Sequence, residues 1–128
     1  MWSARRMEVL SSRVLLRSRD PERARAFYRD VLGLAVHREF PGGTVFFLGG
    51  GFLEVSGRSD DAPTEAVQLW IQVRDLRAVA AELAEHVVRE ARREPWGLDE
   101  MWIADPDGVR IALVEVPPEH PLRRDVRQ

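Results

Sequence analysis

One rhythm constrains this chain more than any other feature: an order of strand, helix and three strands that runs through once and then begins again. Arg13 to Ser18 reads as a strand with Val14 and Leu16 on one face and Arg13, Leu15 and Arg17 on the other. Asp20-Pro21 then supplies a helix cap followed by proline at the first helical position. Ala24, Phe27, Tyr28, Val31 and Leu32 make the apolar stripe of that helix, and Gly33 is its stop. Strands are expected over Leu34–Phe40, Thr44–Leu48 and Phe52–Ser56, separated by the turns Pro41-Gly42-Gly43 and Gly49-Gly50-Gly51. The polar stretch GRSDDAPT, Gly57 to Thr64, punctuates the chain. The order then restarts with a strand over Val67–Val73. Asp75, 55 residues after Asp20, caps a helix whose stripe is Leu76, Val79, Ala80, Leu83 and Val87. A short strand at 87–91, a loop over Arg92–Leu98, a strand over Glu100–Ala104, the turn Asp105-Pro106-Asp107-Gly108 and a strand over Val109–Val116 complete the second round. The expected architecture is α+β: two tandem βαβββ modules in a single domain spanning 1–128. Module one covers about 9–56, a linker 57–66, module two about 67–116, and an irregular tail 117–128.

Length and charge narrow the function classes. The 128 residues fit one domain with a real core. Cysteine is absent, which excludes disulfides, a thiol nucleophile and thiolate metal ligands. The 19 basic residues, all arginine, against 21 acidic ones leave a net charge of −2, without the basic excess expected of a nucleic-acid binder. No apolar run has the length of a membrane span, and the N-terminal stretch lacks a continuous apolar signal segment. The expectation is a cytoplasmic protein with neither a nucleic-acid nor a membrane partner. His37, His86 and His120 show no metal-ligand spacing and are read as surface or structural groups, with His120 in the tail. The glycine turns lack a phosphate-loop pattern, and the serines lack a recognisable base partner. Arg89, Arg92 and Arg93, interrupted by Glu90 and Glu94, read as a solvated mixed-charge surface.

Three segments, RVLLRSRDPERARAFYRDVLGL (Arg13–Leu34), QLWIQVRD (Gln68–Asp75) and DPDGVRIALVE (Asp105–Glu115), together resemble the vicinal-oxygen-chelate superfamily. That group includes glyoxalase I, extradiol dioxygenases, bleomycin-resistance proteins and fosfomycin-resistance enzymes. The resemblance covers about residues 9–116 and implies a curved mixed-sheet cavity and, as in many relatives, a homodimer. It also implies four metal-ligand positions, which fall on Arg13, Glu54, Gln68 and Ala112. Only Glu54 and Gln68 retain an oxygen donor there. Arginine has no acceptor near neutral pH and alanine has no ligand atom, whereas a catalytic zinc site needs about three protein ligands. The expectation is therefore a site with no metal and no cofactor, in which Arg13 pairs with Glu54 or clamps an acidic group.

With the aliphatic residues turned to the helices, Gln68, Trp70 and Gln72 fall on the opposite face of their strand. Phe52, Glu54 and Ser56 in the first module, and Arg110, Ala112 and Val114 in the last strand, are expected to share that lining. Trp102 approaches from the strand before the turn, and Trp96 stands in a loop at the mouth or over the core. Trp70 and Trp102 offer stacking area, Phe52 an apolar wall, Arg13 and Glu54 polar recognition, and Gln68 and Gln72 orientation, with Ala112 beside them. The leading expectation is noncovalent binding of an aromatic or polycyclic small molecule, and resemblance to the bleomycin-resistance proteins suggests natural-product sequestration or self-resistance. One alternative is a lyase, isomerase or epoxide-opening enzyme using Glu54 as acid or base and Arg13 at an oxyanion. Another is a noncatalytic protein-interaction module.

Overall fold

The computed structural model describes residues 7–122. The chain divides into two compact units between Asp60 and Asp61, inside the stretch read as a linker. In the first unit β1 (Arg13–Ser18) leads to α1 (Pro21–Ala26), which runs on into a π-helical turn (Phe27–Val31). Strands β2 (Val36–Phe40), β3 (Gly43–Leu48) and β4 (Gly51–Arg58) follow. They form one mixed sheet in the order β1-β4-β3-β2, with β1 parallel to β4 and the other pairs antiparallel. The second unit repeats the plan with β5 (Leu69–Gln72), α2 (Leu76–Glu82), a 3-10 turn (Ala84–His86), β6 (Val87–Arg93), β7 (Asp99–Ala104) and β8 (Arg110–Glu115), ordered β5-β8-β7-β6. The architecture is thus two tandem βαβββ modules.

Local chemistry explains the helix starts. Asp20 Oδ1 accepts from the Arg23 amide at 3.2 Å, and Asp75 Oδ1 from the Ala78 amide at 3.1 Å. Each satisfies an amide that the first turn leaves without an intrahelical partner. Pro21 needs no such partner and presets its own φ. In the second unit Glu115 adds an acceptor for the Leu76 amide at 2.8 Å.

The first helix departs from a plain amphipathic stripe. The Leu32 amide reaches back five residues to the Phe27 carbonyl at 3.0 Å. The widened turn lets Phe27 and Tyr28 both bury fully, and it rotates Val31 outward to 36% exposure. Val31, expected in the apolar stripe, is therefore at the surface. Gly33 ends the element with φ +71°, a conformation costly for any residue with a β-carbon. In the second unit Val87 opens β6 instead of continuing the helix, and β6 extends through Arg93 into the expected loop. Strand β4 likewise runs two residues past Ser56. The end of the tail, 123–128, lies outside the described residues.

Each core forms between sheet and helix. In the first unit Phe46 and Leu53 are cross-strand partners, as are Thr44 and Val55, and Tyr28 packs its ring 6.3 Å from that of Phe46. In the second, Leu69, Ile111 and Ile103 form one row and Met101 and Leu113 are partners in the next, with Leu76 and Leu83 also buried. Gly43 marks a close approach in the first sheet. A β-carbon there would stand 2.5 Å from the Phe40 ring and 2.7 Å from Ser56 Cβ. Gly43→Ala should accordingly cost about 1–3 kcal/mol through overpacking, measured by urea unfolding; an unchanged midpoint would mean that the Phe40 ring swings clear and that β4 gives way at Ser56.

The two units also share a register. Glu54 lies opposite Leu15 on β1 and Val45 on β3, and Val45 lies opposite Arg38 on β2. Ala112 lies opposite Trp70 on β5 and Trp102 on β7, and Trp102 lies opposite Arg89 on β6. The row Leu15–Glu54–Val45–Arg38 thus corresponds to Trp70–Ala112–Trp102–Arg89. Arg13 stands two residues before Leu15, as Gln68 stands two before Trp70. In both units the ladder shifts immediately before the arginine, at Val36/Arg38 and at Val87/Arg89.

Candidate functional site

Because side chains alternate across a strand, the face away from each core is set by the rows just described. In the first unit that face carries Arg13, Phe52 and Phe47 in one row and Glu54 and Arg38 in the next, with Ser56 beyond Glu54. Arg13 Nη1 donates to Glu54 Oε1 at 2.7 Å, and Ser56 Oγ donates to Glu54 Oε2 at 2.7 Å. The Ser56 hydrogen bond, then that of Arg13, holds the Glu54 carboxyl below its ordinary value against the opposing effect of burial. Glu54 is therefore a carboxylate with a donor on each oxygen. Beside it, the ring of His37 lies 4.8 Å from that of Phe47 and 4.9 Å from that of Phe52. The two phenyl rings are 5.7 Å apart, and Phe47 is 45% exposed.

In the second unit the methyl of Ala112 stands in register between Trp70 and Trp102. Trp70 is 47% exposed. Trp102 is braced: the guanidinium carbons of Arg89 and Arg110 lie 4.1 and 4.4 Å from its ring centroid. It also packs against a cluster of Leu98, Ala112, Val114 and Val116. Ala112 and Val114, both expected to line the site, are fully buried in that cluster. Trp102 Nε1 is buried without a hydrogen-bond partner among the described residues. Gln72 is exposed on the same strand as Trp70, and Gln68 lies exposed just ahead of β5. Trp96 is largely exposed and donates from Nε1 to Glu100 Oε2 at 2.7 Å.

Two features were not legible as site elements. His37 reads as an isolated surface histidine; only the ladder shift in β2 explains why its ring joins Phe47 and Phe52. The arginine-rich stretch is not a solvated surface throughout. Arg89 Nη1 lies 2.6 Å from Glu94 Oε2, and the Glu94 side chain is only 3% exposed. The alternation of Arg89, Arg92 and Arg93 with Glu94 was the available signal, but it does not tell a buried pair from an exposed one. A separate groove of about 380 Å³ lies on the α2 side of this sheet, between Arg77, Arg92, Asp99 and Glu115. Both acids at that groove are already engaged, Asp99 by Arg93 and Glu115 by the Leu76 amide.

The four positions that the superfamily resemblance assigns to metal ligands do not fit a metal centre here. The guanidinium of Arg13 has no free lone pair, and Ala112 has no donor atom. Glu54 has both oxygens engaged by Arg13 and Ser56. Among the described residues no group of three or more His, Asp or Glu side chains is placed to hold an ion. Nor, among the described residues, is any helix long and apolar enough to cross a membrane.

Comparison with solved structures gives a consistent fold. A protein of unknown function from Agrobacterium tumefaciens str. C58 is 23% identical, with a TM-score of 0.74 over 88% of this chain and 97% of its own. A glyoxalase-related enzyme from Fulvimarina pelagi is 20% identical, with a TM-score of 0.70 over 87% and 90%. A lactoylglutathione lyase from Agrobacterium tumefaciens is 21% identical, with a TM-score of 0.63 over 85% and 94%. Comparison with curated proteins gives no match. The family model of the glyoxalase/bleomycin resistance protein/dioxygenase superfamily matches residues 11–113, and with the tandem βαβββ modules already in view, the chain belongs to that superfamily.

Proposed function

We propose that this protein binds an aromatic or polycyclic organic small molecule noncovalently and without a metal ion. The observation that carries the reading is the row Trp70–Ala112–Trp102. Strands stand about 4.8 Å apart, so the two tryptophan α-carbons are about 10 Å apart with only a methyl between them. Trp102 is held by Arg89 and Arg110, while Trp70 leaves nearly half its surface open as a stacking face. Gln72 and Gln68 add amide groups that orient such a molecule, and Phe52, Arg13 and Glu54 give the first unit an apolar wall beside a charged pair. Sequestration or self-protection is the role that fits a site of this kind.

The state of Glu54 favours binding over acid–base turnover. A carboxylate held below its ordinary pKa, with a donor on each oxygen, is a weak base and a poor proton source. The test is a panel of aromatic and polycyclic metabolites, followed by tryptophan fluorescence and by the mass of the recovered ligand. Saturable quenching with the ligand unchanged is expected, and Trp70→Ala should weaken it by roughly tenfold or more while the circular dichroism stays the same. Turnover of a panel member would replace this reading with an enzymatic one. Capture of a protein, with no small molecule bound, would replace it with an interaction module.

A further inference from the structure

We infer that the open sheet face of the first unit selects an aromatic ligand bearing a carboxylate, with Arg38 as the residue that recognises the acid. This rests on the reading that the chain takes a flat organic ligand, and adds a second surface, the ligand's charge and the residue that reads it. Arg38 and Arg89 hold the same place at the end of equivalent rows. Arg89 has a carboxylate in its own unit, with Glu94 Oε2 2.6 Å from its Nη1, and lies over the Trp102 ring. Arg38 has a ring as well, its guanidinium carbon 5.2 Å from the Phe40 centroid. It has no carboxylate in an ion pair among the described residues. The acid on its face, Glu54, is already taken by Arg13 and Ser56. Two guanidiniums against one carboxylate leave this face with an excess positive charge, and Arg38 is exposed.

Next to that charge lies a platform. The shift in the β2 ladder turns His37 onto Phe47 and Phe52, giving three rings within 4.8–5.7 Å of one another. The platform is partly open, since Phe47 is 45% exposed and His37 is exposed as well. His37 makes ring contacts but no hydrogen bond among the described residues, so its nitrogens are available to a bound molecule. Offset or edge contact with these rings suits a planar aromatic body. Arg38 follows His37 directly in the chain, so an acidic group on that body meets a planar fork of donors matched to a carboxylate. A neutral ring would gain the platform and lose the charge-assisted hydrogen bonds.

The probe is 2-naphthoate, with 2-naphthalenemethanol as its uncharged counterpart, titrated into the full chain. The readout is the set of imidazole proton resonances, with those of His37 assigned by their loss in His37→Gln. Naphthoate should move the His37 resonances saturably, and the alcohol should bind roughly tenfold or more weakly. Arg38→Gln, a change at an exposed position, should remove the preference for the acid and weaken naphthoate by a similar factor. Phe47→Ala should weaken both probes alike. Trp70→Ala should leave the His37 titration unchanged. Equal affinity for acid and alcohol, an unaltered titration in Arg38→Gln, or no response at His37 up to millimolar naphthoate would each overturn the inference. A ligand that needs Trp70 and leaves His37 still would uphold the second-unit reading and reject this one. A naphthoate site that needs Arg38 would uphold this inference even where Trp70→Ala changes no ligand's affinity.

Discussion

Phe46→Ala should lower the unfolding free energy by about 3–5 kcal/mol, whereas the adjacent Phe47→Ala should cost far less. The contrast follows from the alternation of β3. Phe46 is fully buried, faces Leu53 across the ladder and packs against Tyr28. Phe47 points to the other face and keeps nearly half its surface in solvent. Removing the Phe46 ring leaves a cavity that Tyr28 and Leu53 cannot close, because the π-helical turn and the sheet fix their backbones. A loss of that size is a large share of the 5–15 kcal/mol that holds a typical domain together. Urea unfolding of both variants, followed by circular dichroism, measures it. Similar costs at the two positions would mean that the assignment of faces in the first unit is wrong.

The second large effect concerns acid. Burial pushes the Glu94 carboxyl up, and the hydrogen bond and charge of Arg89, with those of Arg92, outweigh it and leave Glu94 below its ordinary value. A carboxyl whose folded pKa is depressed stabilises the fold above its unfolded pKa, about 4.3, and loses that contribution as pH falls through the folded value. In Arg89→Ala the burial remains, and the cation still paired with Glu94 is the more exposed Arg92 at 3.4 Å. The folded pKa of Glu94 then rises, and near neutrality an underpaired carboxylate is buried, a strongly destabilising state. The gap in Tm between the native chain and Arg89→Ala should therefore be widest near pH 7 and shrink as pH falls toward about 4, where Glu94 is protonated in the variant. A gap that stays constant over that interval would show that the variant suffers only from lost packing on Trp102 and the lost hydrogen bond from Arg89 Nη2 to the Glu100 carbonyl.

Much of the fold was legible because short-range chemistry carries it. An aspartate seven residues after Arg13, and another seven after Gln68, marks each helix start, and both carboxylates accept from the third amide onward. The turn at Asp105 was equally readable, since one carboxylate oxygen accepts from both the Asp107 and Val109 amides at 2.9 Å. Alternation placed Trp70 on the face opposite Leu69 and Ile71, while the superfamily resemblance put Arg13 beside Glu54, and the two pair across 41 positions of chain. What escaped involves the insertion or loss of a single step in a regular pattern. The π-helical turn adds one residue and sends Val31 outward. The shifted ladder in β2 brings His37 to its rings. Neither leaves a composition signature, because both are decided by what fills the core after the strands pair. Arg89 and Glu94 escaped for another reason: a charge pattern states which signs are near one another and is silent about how deeply they lie.

The shared register of the two sheets bears on how such a chain changes over generations. A duplicated ladder with the same offsets offers each slot twice, so a residue type that suits a slot in one half also has a backbone ready for it in the other. Arg13 and Gln68 are two answers to one slot, and Glu54 and Ala112 are two answers to another. Each half carries one side-chain oxygen at these two slots, Glu54 in the first and Gln68 in the second, in opposite places. Divergence between the copies can therefore proceed by side chains alone, trading aliphatic for aromatic surface at Leu15 and Trp70, while every strand keeps its partner.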